Sequence, residues 1–280
     1  MQELIQALIL GIVQGATEFI PVSSSGHLVI VPWLFGWDPS PLLFDTILHW
    51  GTLTAIIIVF WRDFWRIFTA TVGSLFRRSL ADPDARLGWY IVIGTIPAAV
   101  LGLFFKDFFE NLVMSETAGP LAAGFFLLVT ASLLIGSELI ARNMTVGRML
   151  DEIKLGDAVF IGMAQAFDLF PGVSRSGSTI AAGLVRRIRR DEAARFSFFL
   201  GAPTFLGAGL LQLGDALATD SSEVVAMAPE LIVGFLAAAI TGVIAIRFLL
   251  NYLRNHSLYP FAIYCIIVGL SVIGLNLAGY

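Results

Sequence analysis

Charge is scarce in this chain. Only 14% of its 280 residues are charged, against roughly a quarter in soluble domains, while 57% are hydrophobic and 23 are phenylalanine. With a mean hydropathy of +0.84 there is too little polar surface to cover the apolar mass in water, so the sequence points to a bilayer. Cysteine is almost missing. The single Cys265, set in an apolar run, excludes a disulfide framework and a cysteine-rich metal site and reads as a small packed hydrophobe. Basic charge is not in excess: the net charge is -4 and the arginines fall in loops rather than along one face, which excludes nucleic acid as a partner. The N-terminal Met-Gln-Glu-Leu-Ile lacks a basic stretch and a small-residue cleavage site, so it reads as mature sequence.

What is present begins with long apolar windows. A helix needs about 17 to 25 residues to cross a hydrocarbon core. Windows 44–61, 89–105, 119–140, 196–213, 231–250 and 260–278 meet that requirement and predict six spans. Two further regions are apolar but too short. Residues 4–13 and 28–35 flank the polar stretch QGATEFIPVSSSGH, and residues 158–170 and 180–185 flank PGVSRSGST. Both read as re-entrant helical hairpins whose polar tips face inward, because lipid cannot satisfy exposed backbone N–H and C=O groups.

The halves resemble one another. Displaced by 151 positions, Gly11, Gln14, Val22, Ser23, Ser25 and Gly26 fall on Gly162, Gln165, Val173, Ser174, Ser176 and Gly177. With some drift, Phe44, Leu48 and Thr52 fall on Phe196, Leu200 and Thr204, and Gly94, Ala98, Ala99, Gly102 and Pro120 on Gly234, Ala238, Ala239, Gly242 and Pro260. The chain therefore reads as one integral membrane domain of two repeats, about 1–140 and 141–280. Each repeat holds one hairpin and three spans, and that odd number inverts the second relative to the first. Arginine and lysine concentrate in 62–88, 141–157 and 186–195, whereas 214–230 has none and 106–118 only Lys106. The first three are predicted cytoplasmic, the other two external. The first hairpin then enters from outside and the second from the cytoplasm, so that their tips meet near the midplane.

The chemistry sits on those tips. Pro171 to Thr179 reads as an oxyanion cradle: Arg175 brings a permanently charged planar fork, Ser174, Ser176, Ser178 and Thr179 bring hydroxyls, and Gly172 and Gly177 admit backbone amides. The following helix turns its positive N-terminal end to the same spot. An arginine at membrane depth costs about 2.5 to 3.5 kcal/mol on insertion scales, so it needs a partner; the bland alternative is that Arg175 pairs with Glu18 or Asp168 as structural glue. The first hairpin supplies Gln14, Glu18, Ser23, Ser24, Ser25 and His27, with Gln14 and Glu18 on one helical face. Phosphoanhydride hydrolysis needs neutralised nonbridging oxygens, an in-line nucleophile and a route for its proton, and these residue types suit it. Asp45 and His49 are candidates for a supporting or ion-binding role. The six tryptophans lie mostly near span ends and are read as interfacial anchors.

Both motifs resemble those of the undecaprenyl pyrophosphate phosphatases. QGATEFIPVSSSGH is similar to that family's (Glu/Gln)-x-x-x-Glu-x-x-Pro-x-Ser-Ser-x-Gly-His segment and PGVSRSGST to its Pro-Gly-x-Ser-Arg-Ser-x-x-Thr segment. The resemblance covers the whole chain, including RFSFFLGAP at 195–203 and PFAIY at 260–264. It implies an all-α polytopic membrane enzyme of the bacterial plasma membrane, with inverted repeats and a site opening to the extracytoplasmic face. The implied reaction removes the terminal phosphate of the C55 lipid diphosphate, regenerating the carrier for peptidoglycan synthesis, and the implied phenotype is bacitracin resistance. By motif position it assigns catalysis to Glu18, His27, Arg175 and Ser24, with Ser24 or water as nucleophile. Phosphate binding falls to Ser174, Arg175, Ser176, Gly177, Thr179 and Ser23. A divalent cation, Mg2+ or else Ca2+, falls to Glu18 and Gln14, and with Gln at position 14 Glu18 carries more of that load. The implied partners are the lipid diphosphate and the bilayer, with a homodimer allowed. Lipid-phosphate flipping by the same midplane site is the rival reading.

Overall fold

The computed structural model describes residues 1–105, 118–142, 147–219 and 221–279. In chain order its helices are α1 (Gln2–Phe19), α2 (Ser24–Phe35), α3 (Leu42–Arg77), α4 (Pro83–Phe104), α5 (Ala118–Ala141), α6 (Leu155–Gln165), α7 (Arg175–Val185), α8 (Arg190–Thr219), α9 (Ser221–Ala226), α10 (Ala228–Leu253) and α11 (Tyr259–Leu277). Short 3-10 turns occupy Leu150–Glu152 and Ala166–Leu169. Among the described residues the only β-pairing is an isolated bridge between Arg148 and Ile188.

Six of these helices, α3, α4, α5, α8, α10 and α11, are long and apolar enough to cross a membrane, and each of the six sequence windows falls on one of them. The protein is thus an all-α, multi-pass membrane protein. The largest extension beyond a window is in α3, whose 36 residues leave helical geometry at Phe60 (φ -112°, ψ 23°). At 1.5 Å per residue that helix is far longer than a bilayer core of about 30 Å. The part beyond Phe60 carries Arg62, Arg66 and Arg77.

The two helical pairs differ in detail from the sequence reading. The polar stretches are mostly helical rather than loops: α1 runs on to Phe19, α2 begins at Ser24 and α7 begins at Arg175. Gln14, Glu18, Ser24, His27 and Arg175 are therefore held on helices. Polar side chains interrupt an apolar run without interrupting helical hydrogen bonding; proline does interrupt it. Ile20 and Phe170, each preceding a proline, are extended (φ -65°, ψ 131° and φ -84°, ψ 124°), as the proline ring requires. The chain re-enters helix at a serine cap in both cases. Ser23 Oγ accepts from Gly26 N at 3.2 Å and Ser174 Oγ from Gly177 N at 2.9 Å, each relieving an orphan donor of the first turn.

The pairs approach from opposite ends. Both ends of the first meet in one cleft, where Glu3, Gln6, Trp37 and Asp38 face Met227 and Glu230. Both ends of the second meet where Asp157 pairs with Arg186. At that second end the three arginine-rich stretches lie together: Arg195 pairs with Asp63 at 3.2 Å and Arg66 with Asp84 at 2.8 Å, and Arg148 N donates to Arg187 O at 2.8 Å. Most of the predicted external loop 106–118 (106–117, with Lys106), residues 143–146 and Asp220 lie outside the described residues.

Close helix crossings seat the pairs. A Cβ on Gly11 would come within 2.5 Å of Gly234 O on α10, and one on Gly162 would overlap the Gly94 carbonyl on α4. Small residues at such crossings let helix backbones pack where no hydrophobic force separates protein from lipid. Under the correspondence of the halves, Gly11 maps to Gly162 and Gly94 to Gly234, so the two crossings exchange partners. At the tips, Gly172 adopts φ +102° and its α-carbon would lie 3.0 Å from a Cβ on Gly26.

The arginine-rich end carries a charged latch. Asp157 is fully buried and accepts from Arg148 Nη1 at 2.8 Å, Arg186 Nε at 2.6 Å and Lys154 N at 3.0 Å. Burial pushes its carboxyl up, but the hydrogen bonds and the Arg148 charge outweigh that and hold it at about 2. A carboxyl lowered on folding stabilises fully above its unfolded value of about 3.9, and that stabilisation is lost as pH falls towards 2. Asp157→Asn is therefore expected to cost roughly 2 kcal/mol at pH 7. The difference in thermal midpoint from the parent should shrink between pH 4 and pH 2; a constant difference would show that charge is not the cause.

Candidate active site

Where the two pairs touch, a buried ion pair joins them. Glu18, near the end of α1, and Arg175, the first residue of α7, are each 3% exposed. Glu18 Oε1 accepts from Arg175 Nη2 at 3.1 Å and Nε at 3.3 Å. The other carboxylate oxygen, Oε2, accepts from Gln14 Nε2 at 2.9 Å and from Ser24 Oγ at 2.6 Å. His49 Nε2, on α3, lies 3.6 Å from the same oxygen. One carboxylate thus gathers a guanidinium, an amide, a hydroxyl and an imidazole. Of the two partners weighed for Arg175 from sequence, Glu18 and Asp168, its side chain bonds Glu18.

The guanidinium is held on every side. Its Nη1 donates to Ser197 O on α8 at 2.7 Å, its carbon lies 4.7 Å from the Phe205 ring centroid, and Gly201 leaves it room where a Cβ would overlap Nη1. The loop that delivers it is pinned by Thr130 on α5, whose Oγ1 donates to Gly172 O and accepts from Ser174 N, both at 2.9 Å. Its planar fork, spent here on Glu18, has the geometry that matches the paired oxygens of a carboxylate or a phosphate.

The predicted phosphate-binding hydroxyls divide. Ser23, Ser174 and Ser176 lie at the two caps, with Ser23 Oγ 3.2 Å from Ser25 Oγ and Ser174 Oγ 3.2 Å from Ser176 Oγ. Ser178 and Thr179 turn back onto their own helix, donating to Arg175 O at 3.1 and 2.6 Å, the habit of hydroxyls inside helices. Gly177 sits against Ser174 and Thr130, where a Cβ would come within 2.9 Å of Ser174 Cβ, so its part is to let the cap close.

His27 is brought near the tip but is already bonded at both nitrogens. Nδ1 lies 2.7 Å from Ser23 O and Nε2 2.7 Å from Tyr264 OH. A carbonyl only accepts, so Nδ1 carries the hydrogen, and the neutral ring accepts from Tyr264 through Nε2. His49 has the same lock on Nδ1, 2.7 Å from Asp45 O, but its Nε2 faces Glu18 and its side chain is 28% exposed. It lines a cavity of about 680 Å3 together with Ser25, Asp45, Trp33, Trp37 and Leu169. That cavity lies at the end of the protein where the first pair begins and ends. Leu169 also lines an apolar cavity of about 450 Å3 between Pro97, Leu101, Phe105, Met163 and Phe167.

Sequence reasoning gave no role to Ser197, Phe205 or Tyr264, although the first and last stand within the RFSFFLGAP and PFAIY segments. Thr130 carries no signal in an apolar helix. Trp50, half-buried, also joins two helices: its indole N–H donates to Phe205 O at 3.2 Å, tying α3 to α8.

A guanidinium, carboxylate, imidazole and hydroxyl converge between membrane-crossing helices, beside a cavity that His49 lines, and mark a membrane enzyme with a buried charged centre. The bacitracin resistance protein BacA family model matches residues 7–271, and the chain belongs to that family. It is 45% identical to an undecaprenyl-diphosphatase of Rubrobacter xylanophilus, over 94% of this chain and 95% of that protein. It is 44% identical to one of Thermomicrobium roseum, over 95% of each, and 41% identical to one of Methanosphaera stadtmanae, over 99% of each.

Proposed function

We propose that this chain hydrolyses undecaprenyl diphosphate to undecaprenyl phosphate and inorganic phosphate in the bacterial plasma membrane, recycling the lipid carrier and conferring bacitracin resistance. The observation that carries this reading is the Ser24–Glu18–Arg175 chain of contacts, which places a hydroxyl, a proton acceptor and an anion-binding fork on one carboxylate. The diphosphate approaches through the 680 Å3 cavity and the first isoprenoid units lie in the apolar cavity on the other side of Leu169, which lines both. Arg175 transfers from Glu18 to the nonbridging oxygens of the terminal phosphate, helped by the caps of α2 and α7.

Ser24 Oγ then attacks the terminal phosphorus in line, its proton passing to Glu18 Oε2 as the bond to the bridging oxygen breaks and undecaprenyl phosphate leaves. Water attacks the phosphoserine with its proton passing by way of Glu18 to Ser24 Oγ, and inorganic phosphate departs. His27 acts through position: by holding the Ser23 carbonyl and Tyr264 it fixes the turn that presents Ser24. A divalent cation fits the donor chemistry, since Gln14 Oε1 is a buried oxygen without a partner beside Glu18, and hard cations take such oxygens. Mg2+, or Ca2+, held by Glu18 and Gln14 would neutralise nonbridging oxygens.

The symmetric glycine crossings and paired serine caps support two inverted repeats, about 1–140 and 141–280, forming one domain with two re-entrant pairs. With the arginine-rich end in the cytoplasm, the large cavity opens to the extracytoplasmic face. The decisive measurement is phosphate release by the purified protein from C55 diphosphate in detergent, with and without EDTA. Turnover suppressed by EDTA is expected. No release in detergent, alongside vectorial movement of the lipid in liposomes, would replace hydrolysis by flipping.

A further inference from the structure

The turn that presents Ser24 is strained, and its counterpart in the second pair is not. Ser23 holds φ +70° and ψ 99°, outside even the small left-handed region open to residues with a Cβ. Ser174, the equivalent cap, has an ordinary extended backbone (φ -76°, ψ 120°), and the positive φ of that turn falls on Gly172 at +102°. A strained conformation persists only where its surroundings hold it. The peptide plane that carries the Ser23 carbonyl also carries the Ser24 N–H. Whatever holds that carbonyl therefore sets where Ser24 begins and how its Oγ meets Glu18 Oε2 at 2.6 Å.

His27 grips the carbonyl twice. Ser23 O accepts from His27 N at 3.2 Å and from His27 Nδ1 at 2.7 Å. In the second pair the corresponding backbone bond, Ser178 N to Ser174 O, is 2.8 Å, and the Ser178 hydroxyl goes to Arg175 O instead. The added grip works only while the imidazole keeps its Nδ1–H turned to Ser23. Its other nitrogen, Nε2, lies 2.7 Å from the Tyr264 hydroxyl on α11, and the two rings stack at 5.7 Å and 11°. Donation to Nε2 fixes the ring's orientation from its far side and polarises the Nδ1–H towards the carbonyl.

We infer that Tyr264 is a positioning residue for the reaction: its hydroxyl, by donating to His27 Nε2, keeps Nδ1–H on the strained Ser23 carbonyl and so holds the nucleophile against Glu18. This rests on the proposed hydrolytic reading for the role of Ser24, but the contact itself is measurable without turnover. Tyr264 is 42% exposed and phenylalanine keeps the stacked ring, so Tyr264→Phe removes the donor without opening the core.

The test is steady-state phosphate release from C55 diphosphate by the purified full-length protein in detergent, with nitrogen-15 spectra of histidine-labelled protein in parallel. The chain has three histidines, and the His27 signals are those lost in His27→Asn. In Tyr264→Phe the Nε2 resonance should shift as its donor disappears, with the thermal midpoint close to the parent's. The kcat should fall at least about tenfold with KM within about twofold, the pattern of a misplaced nucleophile rather than lost substrate binding. Ser23→Gly, which accepts a positive φ without a Cβ penalty, should shrink that loss to about threefold or less when combined with Tyr264→Phe, the coupling expected if strain is what Tyr264 restrains. A tie that merely joins α2 to α11 predicts no such coupling. An unshifted Nε2 signal, a kcat within about twofold of the parent in Tyr264→Phe, or an undiminished loss in the Ser23→Gly background overturns the inference. No phosphate release by the parent, with the Nε2 shift present in Tyr264→Phe, would instead overturn the hydrolytic reading, and the positioning role with it, while leaving the Tyr264–His27 bond in place.

Discussion

Arg175→Met combined with Glu18→Gln is expected to leave a folded protein that releases no phosphate above background. Each half of that statement has a physical reason. Arg175→Ala alone leaves Glu18 charged, 3% exposed and stripped of its cation, a change that costs about 3 to 5 kcal/mol when a buried pair is broken from one side. Lost turnover could then be lost protein. The double replacement removes both charges and keeps the volume, and swaps of buried pairs for neutral groups are often neutral or stabilising. Catalysis has no such refuge: removing even one preorganised donor costs about 100- to 1000-fold in kcat, and Arg175 offers several. Arg175→Lys refines the point. It retains charge but not the planar fork that reaches Glu18 through two nitrogens and Ser197 O through a third, so a loss of about 100-fold is expected. Comparable thermal midpoints for parent and double variant, with phosphate release differing by at least about 1000-fold, is the expected pattern; turnover within tenfold of the parent would remove Arg175 from the site.

The particular residues show why some of this was legible in sequence and some was not. Glu18 and Gln14 were placed on one face by their spacing alone, and the touching tips followed from two short apolar arms that could not cross. Helix boundaries were less legible, since hydropathy falls at Gln14 or Arg175 while helical hydrogen bonding continues until Pro21 or resumes at a serine cap. Ser178 and Thr179 look like phosphate donors in a one-dimensional string, but inside a helix their hydroxyls find Arg175 O first. His27 and His49 differ in a way that motif position does not show. Motif position favours His27, whose nitrogens are both taken; only the crossing of α1 by α3 reveals that His49 reaches Glu18. Trp50 stands near a span end, and nothing in that position shows that its N–H ties α3 to α8.

The second large effect concerns Ser24. Its Oγ lies 2.6 Å from Glu18 Oε2, the shortest of the contacts to that carboxylate, and a charge-assisted O–H···O bond of that length is a strong one. If the hydroxyl is the nucleophile, Ser24→Ala removes the covalent route and leaves only water, so phosphate release should fall by at least about 1000-fold. General-base help from Glu18 is worth about 100- to 10,000-fold, so Glu18→Gln should fall by a similar factor. Because the two act on one step, the double variant should be little worse than either single one, the non-additivity expected of residues acting as a unit. Direct attack by water predicts otherwise: Ser24→Ala would lose tenfold or less and Glu18→Gln would remain severe. A single-turnover reaction with lipid diphosphate labelled in its terminal phosphate, quenched in acid, reads the difference. Label retained on the parent protein and absent from Ser24→Ala supports the phosphoserine route. Release at the parent's rate by Ser24→Ala leaves Ser24 as a hydrogen-bond donor that orients Glu18, with water as the attacking group.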